Sequence, residues 1–228
     1  SMIFSSDAGY GIGYSSFRLS GSDQSRINVS INGVPLNDSE SHNVYYVDIP
    51  DLISSASSIQ IQRGVGTSTI GNGSFGGQIN ISTLNFNKIP YGNIEYSFGS
   101  YNSSKKSISF GSGLFNNRFS FDGRISHIKS DGYIDRGTSN LKSYYLSGQF
   151  NNEKTFIQLI SFGGIEETYQ CWYGSPFSYL RNPNLRTYNP YTYENQIDHY
   201  TQTHHQAHLH HVFTKKFKIS ATLHFTHG

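Results

Sequence analysis

The stretch FKISATLHFT, residues 217–226, alternates apolar and polar side chains at every position. Phe217, Ile219, Ala221, Leu223 and Phe225 fall on one face, and Lys218, Ser220, Thr222, His224 and Thr226 on the other. A period of two is the signature of a strand with two unlike faces, and no helix produces it. Working back along the chain, residues 92–99 set Ile94, Tyr96 and Phe98 against Asn93, Glu95 and Ser97. Residues 118–125 set Phe119, Phe121 and Ile125 against Ser120, Asp122 and Arg124. Further strands fit residues 105–115, 141–151, 155–163 and 199–213, the third of these mostly apolar and poorly alternating.

The connections alternate too. Those at 116–117, 152–154 and 214–216 are tight, those at 130–140 and 164–198 are long, and the one at 100–104 is intermediate. Outer-membrane barrels put short turns at one end and long loops at the other, and their strands run about 9–11 residues. The expectation is therefore a run of antiparallel transmembrane β-barrel strands. Seven strands do not close such a barrel, whose strand number is even and whose edges cannot stand open in lipid. The barrel is expected to be incomplete in this chain and to continue well beyond Gly228.

Composition agrees with a β protein. Of 228 residues, 35% are hydrophobic and 14% charged, below the roughly 45–50% and 25% of ordinary soluble domains. Tyr (17) and Phe (16) are frequent, and aromatics suit pleated surfaces as Gly and Asn suit turns. The net charge of +2 comes with no basic block, which argues against a nucleic-acid partner. No apolar run reaches the roughly 18 residues of a transmembrane helix, which says nothing about strands that alternate. Cys171 is the single cysteine, so no internal disulfide forms. The opening SMIFSSDAGYGIGYSSF has no signal-peptide pattern and reads as the middle of a domain.

The chain divides near NFNKIPYG, residues 85–92, giving a first region of 1–86 and a second of 87–228. The first region holds short alternating strands at 27–32, 59–62 and 78–82. Residues 48–54 (DIPDLIS) predict a helical turn, with Asp48 as its cap and Pro50 early in it. The loops at 34–42 and 66–76 are long and rich in Gly, Ser, Asn and Thr.

Residues 16–83 resemble the plug domain of TonB-dependent outer-membrane receptors. INGVPLND (31–38), IQIQRGVGTSTIGNGSFGG (59–77) and QINIST (78–83) carry the resemblance by their order and spacing. IEETYQCWYGSP (165–176), with the run to QIDHYTQTHHQ, is similar to the third outer loop and next strand of receptors from Bacteroidota-type bacteria. The resemblance implies the later half of a plug (1–86), followed by roughly the first third of a barrel of about 22 strands (87–228). It implies active uptake of a scarce solute, most often in this family a ferric siderophore or similar chelate. The implied partners are that ligand, outer-membrane lipid, and TonB acting through a segment outside this chain. No enzyme activity, cofactor or metal is implied, and the expected location is the outer membrane of a Gram-negative bacterium.

The same resemblance assigns site residues. Pro35, Leu36, Asn37 and Asp38, with Thr67, Ser68, Thr69, Asn72 and Phe75, would form plug apex loops facing the ligand from below. Arg26 and Arg63 would lie between plug and barrel, each pairing with barrel carboxylates, since a buried charge needs a partner. In the long loop, Tyr169, Trp172 and Tyr173 either line a ligand mouth or serve as belt or loop-packing aromatics.

Other signals have plainer explanations. The glycine-rich stretch lacks a GxxxxGK[ST] pattern and a following helix, so it is no phosphate loop. In HHQAHLHH, His204, His208 and His210 share one strand face while His205 and His211 share the other. With no carboxylate or cysteine beside them, they read as a polar face rather than a closed metal site. Glu166, Glu167, Asp131 and Asp135 lie in predicted outer loops with no paired geometry for acid–base work. Two other readings are a passive porin or adhesin barrel, and a soluble all-β binding module. The direction of Phe217, Ile219, Leu223 and Phe225 separates the soluble module from the membrane readings: a dry core in the first, an outward apolar band in the second.

Overall fold

The computed structural model describes residues 2–64, 75–83 and 87–228. Strands dominate. An N-terminal hairpin pairs β1 (Met2–Ser6) with β2 (Ser15–Leu19). A four-stranded mixed sheet follows, in the order β4-β3-β6-β5, from β3 (Ile27–Ile31), β4 (Val34–Pro35), β5 (Ser58–Arg63) and β6 (Gly77–Ser82). β3 and β6 run parallel, while the other two pairings are antiparallel.

The second region is one antiparallel sheet in strict chain order: β7 (Tyr91–Gly99), β8 (Ser103–Gly111), β9 (Phe119–Ser130), β10 (Ser139–Asn151), β11 (Thr155–Tyr169), β12 (Ile197–Thr214) and β13 (Phe217–His227). All seven expected strands are present. Several outrun the expected length, β11 at 15 residues and β12 at 18. At 116–117 the turn is built on two asparagines with positive φ, 49° and 52°, a conformation Asn tolerates better than most residues. The connections at 131–138 and 170–196 lie at one end of the sheet and those at 112–118, 152–154 and 215–216 at the other. The connection at 112–118 is longer than the tight turn expected at 116–117, and the intermediate connection expected at 100–104 is a short turn at 100–102, on the end that carries the long 170–196 loop.

The two faces of this sheet differ as the alternation requires. One face carries Ser120, Asp122, Arg124 and Ser126 of β9 and Ser139, Ser143, Ser147 and Gln149 of β10, all buried. The other carries Phe119, Phe121, Ile125, Leu146 and Leu159, all exposed. Phe217, Ile219, Leu223 and Phe225 are exposed as well, so they form no dry core.

The dry core lies on the concave side. Phe17, Leu19, Ile27, Val29, Ile31, Ile79 and Ile81 of the small sheets cluster with Tyr145, Ile160 and Phe162 from β10 and β11. This explains the poor alternation of residues 155–163. Ile160 and Phe162 face the small sheet while Ile157 and Leu159 face outward, so both faces of β11 are apolar there.

Three readings of the first region need correction. The helical turn is a 3-10 turn at Leu52–Ser55, so Asp48 does not cap it. Asp51 precedes it in the left-handed region (φ 57°), which displaces the turn toward the C-terminus, and Asp48 is buried instead. The stretch 34–42 begins with a two-residue strand, β4, laid on β3. The β1–β2 hairpin stood outside the expected strands, because its glycine-rich tip hides any periodicity.

Candidate functional site

Among the described residues, carboxylates hold two polar seams between residues of the first region and the wall formed by β7–β13. At the first, Asp51 reaches two strands at once. Its carboxylate lies 2.8 Å from Arg124 Nη1 on β9 and 2.8 Å from Lys105 Nζ on β8, with all three side chains largely buried. Arg124 also donates to Ser55 Oγ at 2.7 Å and Ser126 Oγ at 2.6 Å, and Ser54 donates to Asp51. Burial works against charge on Asp51, but Lys105, Ser54 and Arg124 outweigh it and hold its pKa below the ordinary value. A buried ion pair completed by hydroxyl donors is the arrangement in which desolvation is best offset.

The second seam is acidic and has no such cation. Tyr14, at the base of the β1–β2 loop just before β2, places its hydroxyl 3.0 Å from Glu166 Oε1 on β11 and 2.7 Å from Asp198 Oδ2 on β12. A phenol carries one proton, so it satisfies both carboxyl groups only if one of them is protonated and donates to it. Asp48 adjoins this group. It is buried, its Oδ1 has no hydrogen-bond partner among the described residues, and burial and then the Asp198 charge push its pKa up to about 7. Burial likewise raises Tyr14, with the Asp198 hydrogen bond adding to it. The backbone lies directly on the wall here. A Cβ on Gly164 would come within 2.4 Å of Pro50 Cδ and 2.6 Å of the Asp48 carbonyl oxygen.

Beside the acidic seam is a cavity of about 500 Å³ between the 35–49 segment and β12–β13. Pro35, Leu36, Asn37 and Asp38 line it, together with Tyr14, Asp48, Asp198, His204 and His224. Asn37 is held by its own hydrogen bonds: its Oδ1 accepts from Val29 N–H at 2.8 Å, and its Nδ2 donates to Ile27 and His42 carbonyls. Asp38 accepts backbone N–H bonds from Glu40 and Ser41, and these, led by Ser41, lower its pKa. A second cavity of about 690 Å³ shares Pro35, Asn37 and Asp38 and adds Arg26 and Phe75. Thus Phe75 and the 35–38 segment converge on one space. Thr67, Ser68, Thr69 and Asn72 lie outside the described residues.

Comparison with known proteins gives this geometry a family. A model of the TonB-dependent Receptor Plug Domain matches residues 2–78. These residues are similar to that plug domain. Solved structures of similar fold extend the likeness through the wall. The pyoverdine outer membrane receptor FpvA from Pseudomonas aeruginosa is 16% identical at a TM-score of 0.73, covering 94% of this chain and 32% of that one. The siderophore receptor PiuA from Acinetobacter baumannii is 15% identical at 0.71, covering 96% and 31%. The copper transporter OprC is 15% identical at 0.68, covering 99% and 32%. The chain therefore spans about a third of the length of these structures. No curated protein matches it in sequence.

Within this plug and wall, the assigned arginines sit away from the seams. Arg26 is exposed and faces Asp23 at 3.7 Å, an i,i+3 contact within the plug. Arg63 lies on the exposed strand β5 and has no carboxylate within ion-pair distance among the described residues. The described plug–wall ion pairs have the opposite polarity, with the acid on the plug and the bases on the wall. Of the loop aromatics, Tyr169 is buried against the loop itself. Its hydroxyl donates to the Tyr193 carbonyl at 2.7 Å, and Arg136 lies over its ring at 6.0 Å. Trp172 and Tyr173 are exposed, and both contact the Tyr191 ring. Trp172 also meets Tyr14 edge-on at 5.9 Å, so the outer loop touches the plug hairpin directly.

The histidines divide as their phase demands. His204 stacks on Phe162 at 4.7 Å and bonds Thr226 and Gln202, while exposed His205 stacks on Phe225. Among the described residues, no group of three His, Cys, Asp or Glu is placed to hold a metal ion. Sequence reasoning passed over Asp51, Arg124, Lys105, Tyr14, Asp48 and Asp198. One signal was present for Arg124: its phase puts a charge on the face opposite the Phe row, and an inward charge requires a partner.

Proposed function

We propose that this chain is part of an outer-membrane receptor that imports a scarce solute by TonB-dependent remodelling of the plug. Residues 1–86 are the plug portion and 87–228 the first barrel strands. The observation that carries this reading is the shared core. Plug residues Ile31, Val29 and Ile81 pack with Tyr145, Ile160 and Phe162 on the inner wall face. A passive porin has no plug to pack there, and a soluble module would cover its outer Phe and Leu rows.

In this reading the ligand contacts Pro35–Asp38 and Phe75, with Thr67, Ser68, Thr69 and Asn72 as further contacts, and meets the exposed rings of Trp172 and Tyr173. Arg26 and Arg63 face later strands of the barrel. The location is the outer membrane of a Gram-negative bacterium, the partners are TonB and lipid, and the role is transport without catalysis. Pyoverdine and siderophore receptors, and a copper transporter, share the fold, which makes ferric chelates and copper the first solutes to test.

The test is uptake of labelled ferric chelates and copper by cells carrying the full-length receptor, with and without TonB. Receptor-dependent accumulation that disappears without TonB is expected. Accumulation that persists without TonB would replace this reading with a passive pore.

A further inference from the structure

We infer that the cavity beside the acidic seam receives a positively charged organic group of the imported ligand, an ammonium or a guanidinium. The inference rests on the transport reading above and specifies the ligand chemistry of the same site. Three carboxyl groups, Asp38, Asp48 and Asp198, line the cavity, and among the described residues no lysine or arginine does. Glu166 stands behind them across Tyr14.

The other seam shows what this chain does with a carboxylate that serves structure alone. Asp51 is clamped between its own Lys105 and Arg124. Asp48, three residues earlier, is as deeply buried yet has an oxygen with no donor among the described residues. A buried carboxyl without a cation beside it is costly, and a cationic group in the cavity offsets the charge of Asp48 and Asp198. The aromatic lining fits the same guest. Tyr14, Tyr45 and Tyr200 border the cavity, and phenol faces attract cations while their oxygens accept N–H bonds.

The size of the cavity fits an organic group better than a bare ion. The cavity falls within the roughly 300–1,000 Å³ of ordinary small-molecule sites, and its acids and histidines are not gathered as metal ligands.

The experiment is calorimetric titration of the purified full-length receptor at about 0.1 M salt, which screens loose surface binding. Spermidine is the cationic probe and tricarballylate, of similar size, the anionic one. Spermidine is expected to saturate one site and tricarballylate to give no binding heat. Asp198→Asn and Asp38→Asn should each weaken spermidine by about tenfold, in line with loss of one desolvated charge contact. Asn keeps the acceptor oxygen with which Asp38 binds its own turn, so the second variant retains the fold, and a melting curve checks both. Stronger binding of tricarballylate, binding of neither probe, or equal spermidine binding to wild type and both variants would overturn the inference. TonB-dependent uptake would survive any of these outcomes, so the two readings fail separately.

Discussion

Asp48 and Asp51 lie three residues apart and respond to pH in opposite senses. Asp51 has Lys105 and Arg124 against it, and its pKa is lowered. The stability it contributes is present above the ordinary carboxyl value and lost as pH falls through its lower folded value. Asp48 is raised to about 7 from 3.8 by burial and the neighbouring Asp198. Its folded form binds the proton more tightly than its unfolded form, so its contribution is greatest below about pH 4 and disappears as pH rises toward 7. Each unit between the two values corresponds to about 1.4 kcal/mol, and partial hydration reduces the total to roughly 2 kcal/mol. Hydrogen exchange of the segment around Asp48 is therefore expected to quicken between pH 5 and pH 8 beyond the intrinsic rate. Asp48→Asn should remove most of that excess. Equal protection at the two pH values in the wild type would show that Asp48 stays ionised in the fold.

The plug and wall meet through elements, and each seam makes its own prediction. Arg124→Met leaves Asp51 buried with Lys105 as its remaining cation. Breaking a buried pair from one side costs about 3–5 kcal/mol, of which Lys105 should recover a part. Joining Arg124→Met with Asp51→Leu should restore most of the loss, because a pair of apolar residues leaves no charge stranded. Urea-dependent proteolysis of the plug in the full receptor reads both variants. A double variant as weak as the single one would mean that the seam is held by something other than this pair. At the acidic seam, Gly164→Val is expected to lift the 48–50 backbone off β11, since even a Cβ would lie 2.4 Å from Pro50. Cross-linking between the plug and β11 should fall, while barrel assembly is retained.

These elements also mark where sequence was informative. The phase of β7, β9 and β13 was legible because a period of two is a local property of Ile94, Phe121 or Leu223 and their neighbours. Residues 155–163 blurred because Ile160 faces a core and Leu159 the outer side. The turn at Leu52–Ser55 was misplaced because a left-handed Asp51 leaves no pattern in composition. The glycines of the first hairpin concealed Tyr14, whose partners Glu166 and Asp198 are 152 and 184 positions away. Contacts that distant depend on the register of β11 and β12 against the plug, which one sequence does not encode locally.

At the scale of the whole molecule, the outer face decides the solvent. Leu159 and Leu223 flank Ala207 across β11, β12 and β13, and Phe121 and Phe225 lie on the same side, forming an apolar band with nothing among the described residues to cover it. Thr222, the neighbour of Leu223, pairs with His208 on the inner face. If lipid is the outer solvent, charge at these adjacent positions must have very different costs. An arginine near the bilayer midplane costs about 2–4 kcal/mol on the lipid face, whereas an inward position stays hydrated. Leu223→Arg in the full receptor should therefore lower stability by about that amount when the protein is folded into lipid vesicles and titrated with denaturant, and Thr222→Arg by much less. The comparison cancels the shared effects of changing residues on one strand, because the two sites differ by a single step along β13. A cost for Thr222→Arg equal to that for Leu223→Arg would mean that the Phe and Leu rows face protein or water, and the membrane assignment of β7–β13 would have to be given up.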